Sequence, residues 1–178
     1  MDPARKEATP IELGALLMDA VCKPGEQEQQ AVRQLAAHLG VDLERLQLEL
    51  MYLRAFAVEF ATIISLGESP AREAVATQYR RHWDQIAEQA GEGVVEELND
   101  RLAAYAEAVN NTDPGAPSLR DLIGQAFARS CQDEDRGDDL SVLGGSMFAA
   151  LFDEIADLYE TVEIVLLEDP LRRPASPN

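Results

Sequence analysis

Residues Leu43–Leu66, LERLQLELMYLRAFAVEFATIISL, decide how this chain folds. At about 100° per residue, Leu46, Leu50, Leu53, Phe56, Ala57, Phe60, Ile63 and Ile64 share one helical face. Gln47 and Arg54 stand on the opposite side, where polar residues belong. Asp42 is placed to cap the start of this helix and Gly67 to close it. A helix this apolar is expected to form the spine of the fold. Glu49 falls inside the stripe, beside Leu53, Phe56 and Phe60. A carboxylate in that position must be paired, protonated or lining a cavity.

Helix punctuation continues on both sides of this segment. Upstream, Thr9-Pro10-Ile11-Glu12 combines a capping box with proline at the first helical position. The helix it opens carries Leu13, Leu16, Leu17, Ala20 and Val21 and stops at Lys23-Pro24-Gly25. A second helix packs through Val32, Leu35, Ala36 and Leu39 and ends at Gly40. Downstream, Ser69-Pro70 starts a helix with Val75, Tyr79, His82 and Ile86 on one face, broken near Gly91-Glu92-Gly93. Val95, Leu98, Leu102, Tyr105 and Val109 form the next stripe. The breaker NNTDPGAP at 110–117 follows, and Ser118 with Asp121 opens another helix. After the acidic stretch at 133–139, a short turn from Leu140 leads through Gly144-Gly145 into a last helix. That helix faces inward with Phe148, Leu151, Phe152, Ile155, Tyr159, Val162 and Leu166, and ends at Asp169-Pro170.

Strand signals are nearly absent, and no fixed-period repeat is present. The expected architecture is all-α: a single-domain bundle of about seven helices around the long helix at 43–66. The helical domain is expected over 9–168, with a flexible lead-in at 1–8, a disordered tail at 169–178 and a possible subdomain break at 110–117. A chain of 178 residues buries roughly 70% of its unfolded surface, enough for one real core.

The chain carries 33 acidic against 15 basic residues, a net charge of −18. That opposes nonspecific binding to nucleic acid or anionic lipid and favours a basic protein partner. Between Asp133 and Asp169 there are 12 acids and one base, Arg136. Simple colloidal stability accounts for the excess in most proteins of this kind. Cys22 and Cys131 are far apart, each at an apolar helical position, and read as buried thiols in a reducing cytoplasm. No signal peptide or membrane-spanning run is visible, so the expected location is cytoplasmic.

Glu49 has one partner suggested by spacing. The connection Gly67–Pro70 is short, so the helices flanking it are antiparallel neighbours. Glu49 lies 18 residues before Gly67 and His82 lies 15 after it, which places them at similar heights. A Glu49–His82 pair lining a pocket would suit proton transfer or ligand binding. The plainer alternative is a buried structural contact, with Arg80 or Arg81 in place of His82.

No cofactor motif is present, and metal chemistry finds little support. Two histidines and two isolated cysteines do not supply a zinc site. Asp133, Asp135, Asp138 and Asp139 are weak cation candidates. Their spacing fails the calcium-loop pattern, because glycine stands at its fifth position and aspartate at its sixth. Gly144-Gly145-Ser146 reads as a close helix contact or hinge. Residues 32–50, VRQLAAHLGVDLERLQLEL, resemble a helix-turn-helix through Ala36, Gly40, Val41 and Leu46. The would-be recognition helix offers Asp42, Glu44 and Glu49 against Arg45, the wrong sign for a phosphate-lined groove.

These readings favour a non-catalytic interaction or regulatory module that binds a protein partner, with the Val95–Val109 and Phe148–Leu166 stripes as candidate homodimer surfaces or, more simply, as core. The alternative is a small-molecule-binding protein or enzyme built on Glu49 and His82. A DNA-associated regulator comes third.

Overall fold

The structure, a computed structural model, describes residues 5–91, 93–110, 115–131 and 137–166. It is all-α. In chain order the elements are β1 (Lys6–Ala8), α1 (Pro10–Cys22), α2 (Glu26–Leu39), α3 (Leu43–Leu66), α4 (Pro70–Ala90), α5 (Gly93–Val109), α6 (Leu119–Ser130), α7 (Gly137–Thr161) and β2 (Val162–Ile164).

The capping residues act as their chemistry dictates. The Thr9 hydroxyl accepts from the Glu12 amide while the Glu12 carboxylate accepts from the Thr9 amide at 2.8 Å, a reciprocal box with Pro10 at the first turn. Asp42 accepts from the Arg45 amide at 2.7 Å, and Ser69 and Ser118 cap α4 and α6 in the same way. Gly40 ends α2 at φ 70°, the left-handed turn that sends the chain into α3.

The long helix is the spine, but it is buried on two sides. Leu46, Leu50, Leu53, Phe56 and Ala57 face a core shared with α2, α5, α6 and the first half of α7. Tyr52, Ala55, Val58 and Ala61 face a second core with α1, α4, Leu98 of α5 and the end of α7. Arg54, expected on an open polar side, is therefore only 7% exposed and pairs with Glu28 of α2. Ile63 and Ile64, expected inside, are about half exposed because the neighbouring helices do not cover the last turn of α3.

An aromatic ladder joins α3 to α7. Phe56 stacks on Phe60 at 5.7 Å and on Phe148 at 6.0 Å, and Phe60 meets Phe152 at 5.8 Å. The pair α6–α7 is closest of all at its glycines. A Cβ on Gly124 would stand 2.1 Å from the Ser141 carbonyl oxygen, and one on Gly145 would stand 2.6 Å from that of Arg120. Gly144-Gly145 is thus a helix contact inside a continuous α7, not a turn before it.

The chain ends depart from the expected pattern. Lys6–Ala8, expected to be flexible, pairs in parallel with Val162–Ile164, which had been placed in the last helix. The Val165 amide extends the ladder to the Ala8 carbonyl at 3.0 Å. Three-residue strands are too short for alternation to register. Val162 is still buried, but Leu166 is 42% exposed rather than internal. The expected tail at 169–178 and residues 111–114 of the breaker at 110–117 lie outside the described residues. No described helix is long and apolar enough to cross a membrane.

Candidate functional site

Glu49 is completely buried and fully engaged. Arg101 of α5 grips it with both arms of its guanidinium, Nε to Oε2 and Nη2 to Oε1, each at 2.7 Å. Arg45, one turn earlier on α3, reaches Oε1 at 2.7 Å. One turn along each helix, the Tyr52 hydroxyl donates to Glu97 of α5 at 3.0 Å. The Glu49 contact pushes the Arg101 pKa up, and burial together with Glu97 pushes the Tyr52 pKa up. Two charge-assisted links thus stitch α3 to α5. A carboxylate buried between two guanidiniums is committed to that contact.

The expected Glu49–His82 pair does not form. The hydrogen bonds of Glu49 go to Arg101 and Arg45, whereas His82 is partly exposed on α4. Height along the helix was not the deciding factor; rotation was. The inward residue of α4 at that level is Trp83, one position further round, because α4 turns its face toward α1. Gly14 of α1 marks the close approach, with a Cβ there falling 2.7 Å from that of Gln78. Arg80 and Arg81 do not reach Glu49 either: Arg81 donates to Gln78 at 3.1 Å.

Other candidates disperse. Asp138 and Asp139 occupy the exposed first turn of α7, and Asp133 and Asp135 lie outside the described residues. Among the described residues no group of three histidine, cysteine or carboxylate side chains is placed to hold a metal ion. Cys22 is exposed rather than buried, its thiol donating to the Met18 sulfur at 3.5 Å, and Cys131 is partly buried. The two helical stripes serve mainly as core: Leu98, Tyr105, Phe148, Ile155 and Tyr159 are buried.

What the fold leaves open is a groove of about 840 Å³ between α3, α4 and α5, floored by Leu17 of α1. From α3 come Val58, Glu59, Thr62 and Ile63, and from α5 Val95, Leu98, Asn99 and Leu102. From α4 come Arg72, Val75, Ala76, Tyr79, Arg80 and Trp83, with Thr77, Arg81 and Asp84 at its edge. Tyr79 and Trp83 meet edge to face at 6.4 Å. The Tyr79 hydroxyl and the Trp83 indole N–H are both buried close to one another, and neither makes a well-formed hydrogen bond. Neither Glu49 nor His82 lines this groove. A smaller cavity of about 290 Å³ between α1, α2 and α3 contains Cys22 and the Arg54 already tied to Glu28.

Glu59 is the one carboxylate on α3 that faces the groove, and burial raises its pKa while Arg80 opposes the shift. A raised native pKa means that the charged form is disfavoured in the folded state. Glu59→Gln should therefore raise the melting temperature at neutral pH. The gain should fade as pH drops through the raised pKa and vanish below the ordinary carboxyl value of 4.5. Thermal melts of both proteins from pH 7.5 to 4 check this; an equal gain at every pH would contradict it.

No family model, curated protein or solved structure matches this chain. Its chemistry must be argued from its own residues.

Two determinants escaped the sequence pattern although signals existed. Arg101 lies between Leu98 and Tyr105 at spacings of three and four, on the buried face of α5. It is the cationic counterpart of the carboxylate in the α3 stripe. Trp83 adjoins His82, and a periodicity read through Val75 and Tyr79 admits either residue as the next inward position.

Proposed function

We propose that the protein is a non-catalytic binding module and that the groove between α3, α4 and α5 is its recognition surface for an apolar ligand. The observation that carries this reading is the separation of the buried ionic cluster from the open cavity. Glu49 is spent on holding two helices together. The groove of about 840 Å³ is lined by Val58, Ile63, Val75, Val95 and Leu98 without a paired nucleophile and base. Small-molecule sites are mostly apolar concavities of roughly 300–1,000 Å³ with a few polar groups. The exposed acids of α7, Asp153, Glu154, Asp157 and Glu160, solvate the opposite kind of surface and need no partner.

A neutral apolar probe tests this directly. With 1-butanol added to isotopically labelled protein, amide and indole shifts should move chiefly at Thr62, Ala76, Trp83 and Val95. Shifts centred instead on His82 and Arg101, or spread evenly over the surface, would refute the assignment.

A further inference from the structure

Resting on the groove as the recognition surface, we infer that its ligand is a monoanionic amphiphile, an apolar chain bearing a single carboxylate. The sign of charge carries this step. Arg72, Arg80 and Arg81 line the groove against Glu59 and Asp84. That leaves one net positive charge in a chain whose total is −18. An anion is repelled by an acidic protein as a whole and is better tolerated beside a local excess of arginine. A single net charge is matched by a carboxylate; a phosphate dianion would leave an uncompensated unit beside Glu59.

The arrangement on α4 fits such a headgroup. Arg72 and Arg80 are eight residues apart, about 12 Å along the helix, with Arg72 partly buried and Arg80 exposed. Arg80 is adjacent in the chain to Tyr79 and one turn before Trp83, the two groove side chains whose buried polar hydrogens lack a well-formed hydrogen bond. Buried polar groups left unmatched are rare in folded proteins, and each is destabilising. A carboxylate drawn in beside Arg80 brings a further acceptor toward the Tyr79 hydroxyl and the Trp83 N–H. The apolar chain then lies against Val58, Val75, Leu98 and Val95. A partner helix with its own side chains fits the confined volume less well than one short chain does.

Trp83 is the only tryptophan in the protein and lies within the groove, so its emission reports occupancy. The intact protein is titrated separately with octanoate, 1-octanol and octyltrimethylammonium. Octanoate should change the emission saturably, 1-octanol should bind at least tenfold more weakly, and the cation should not bind. The double variant Arg72→Gln/Arg80→Gln should bind octanoate at least tenfold more weakly while remaining folded, with only the slight loss in melting temperature that follows from removing Arg80 beside Glu59. Glu59→Gln should bind it more tightly. Equal affinity for octanoate and 1-octanol would overturn the carboxylate inference while leaving the groove as an apolar binding surface. No saturable change with any of the three would overturn both.

Discussion

Arg101→Met should be among the most destabilising single substitutions in this protein. It leaves Glu49 at zero exposure with only Arg45, whose side chain is 36% exposed, to neutralise it. Removing one partner of a buried ion pair costs about 3–5 kcal/mol, because the remaining charge keeps its desolvation penalty. For a chain of this size that lowers the melting temperature by roughly 10 °C. The double variant Glu49→Leu/Arg101→Met should recover most of the loss, since two apolar side chains replace two ions that must otherwise compensate each other. Denaturant unfolding of the wild type, both single variants and the double variant gives the coupling. A destabilisation for Arg101→Met below 1 kcal/mol would mean that the cluster does not hold α5 in place.

The second large effect belongs to the α6–α7 contact. Gly124→Ala places a methyl 2.1 Å from the Ser141 carbonyl oxygen, and that oxygen is backbone, so it cannot swing away. The helices must separate, which loosens the packing of Phe127 against Leu140 and Phe148 in the same core. Overpacking of a close-packed interior costs typically 1–3 kcal/mol, and a clash with rigid backbone falls at about the upper end. Gly93→Ala provides the contrast: a Cβ there meets nothing within 4 Å. It should be neutral or slightly stabilising. Comparable losses for the two variants would contradict the close helix contact.

The elements that the sequence made legible are those governed by local rules. Thr9, Asp42, Ser69 and Ser118 cap helices because a short oxygen-bearing side chain satisfies amides three residues ahead. The span Leu43–Leu66 is recovered end to end because Asp42 and Gly67 bracket it. Burial of Glu49 was also legible, since its phase among Leu46, Leu50 and Leu53 is fixed by helical geometry. Its partner was not, because that depends on how α5 is laid across α3, a tertiary choice to which loop lengths are blind. The same limit hid the groove. Arg72, Tyr79, Arg80 and Trp83 form a pattern along α4, but only the placement of α3 and α5 turns that face into a concavity. The burial of Arg54 follows from helices on both sides of α3, which a single amphipathic stripe does not convey.

Stability and recognition are thus assigned to different residues of the same three helices, and a pair of variants separates them. Glu49→Gln and Arg80→Gln are each measured for octanoate binding through Trp83 emission and for thermal melting. Glu49→Gln is predicted to melt at a clearly lower temperature and to bind like the wild type, while Arg80→Gln melts only slightly below the wild type and binds several-fold more weakly. A folded Glu49→Gln protein that no longer binds, or an Arg80→Gln protein with undiminished affinity, would contradict the division.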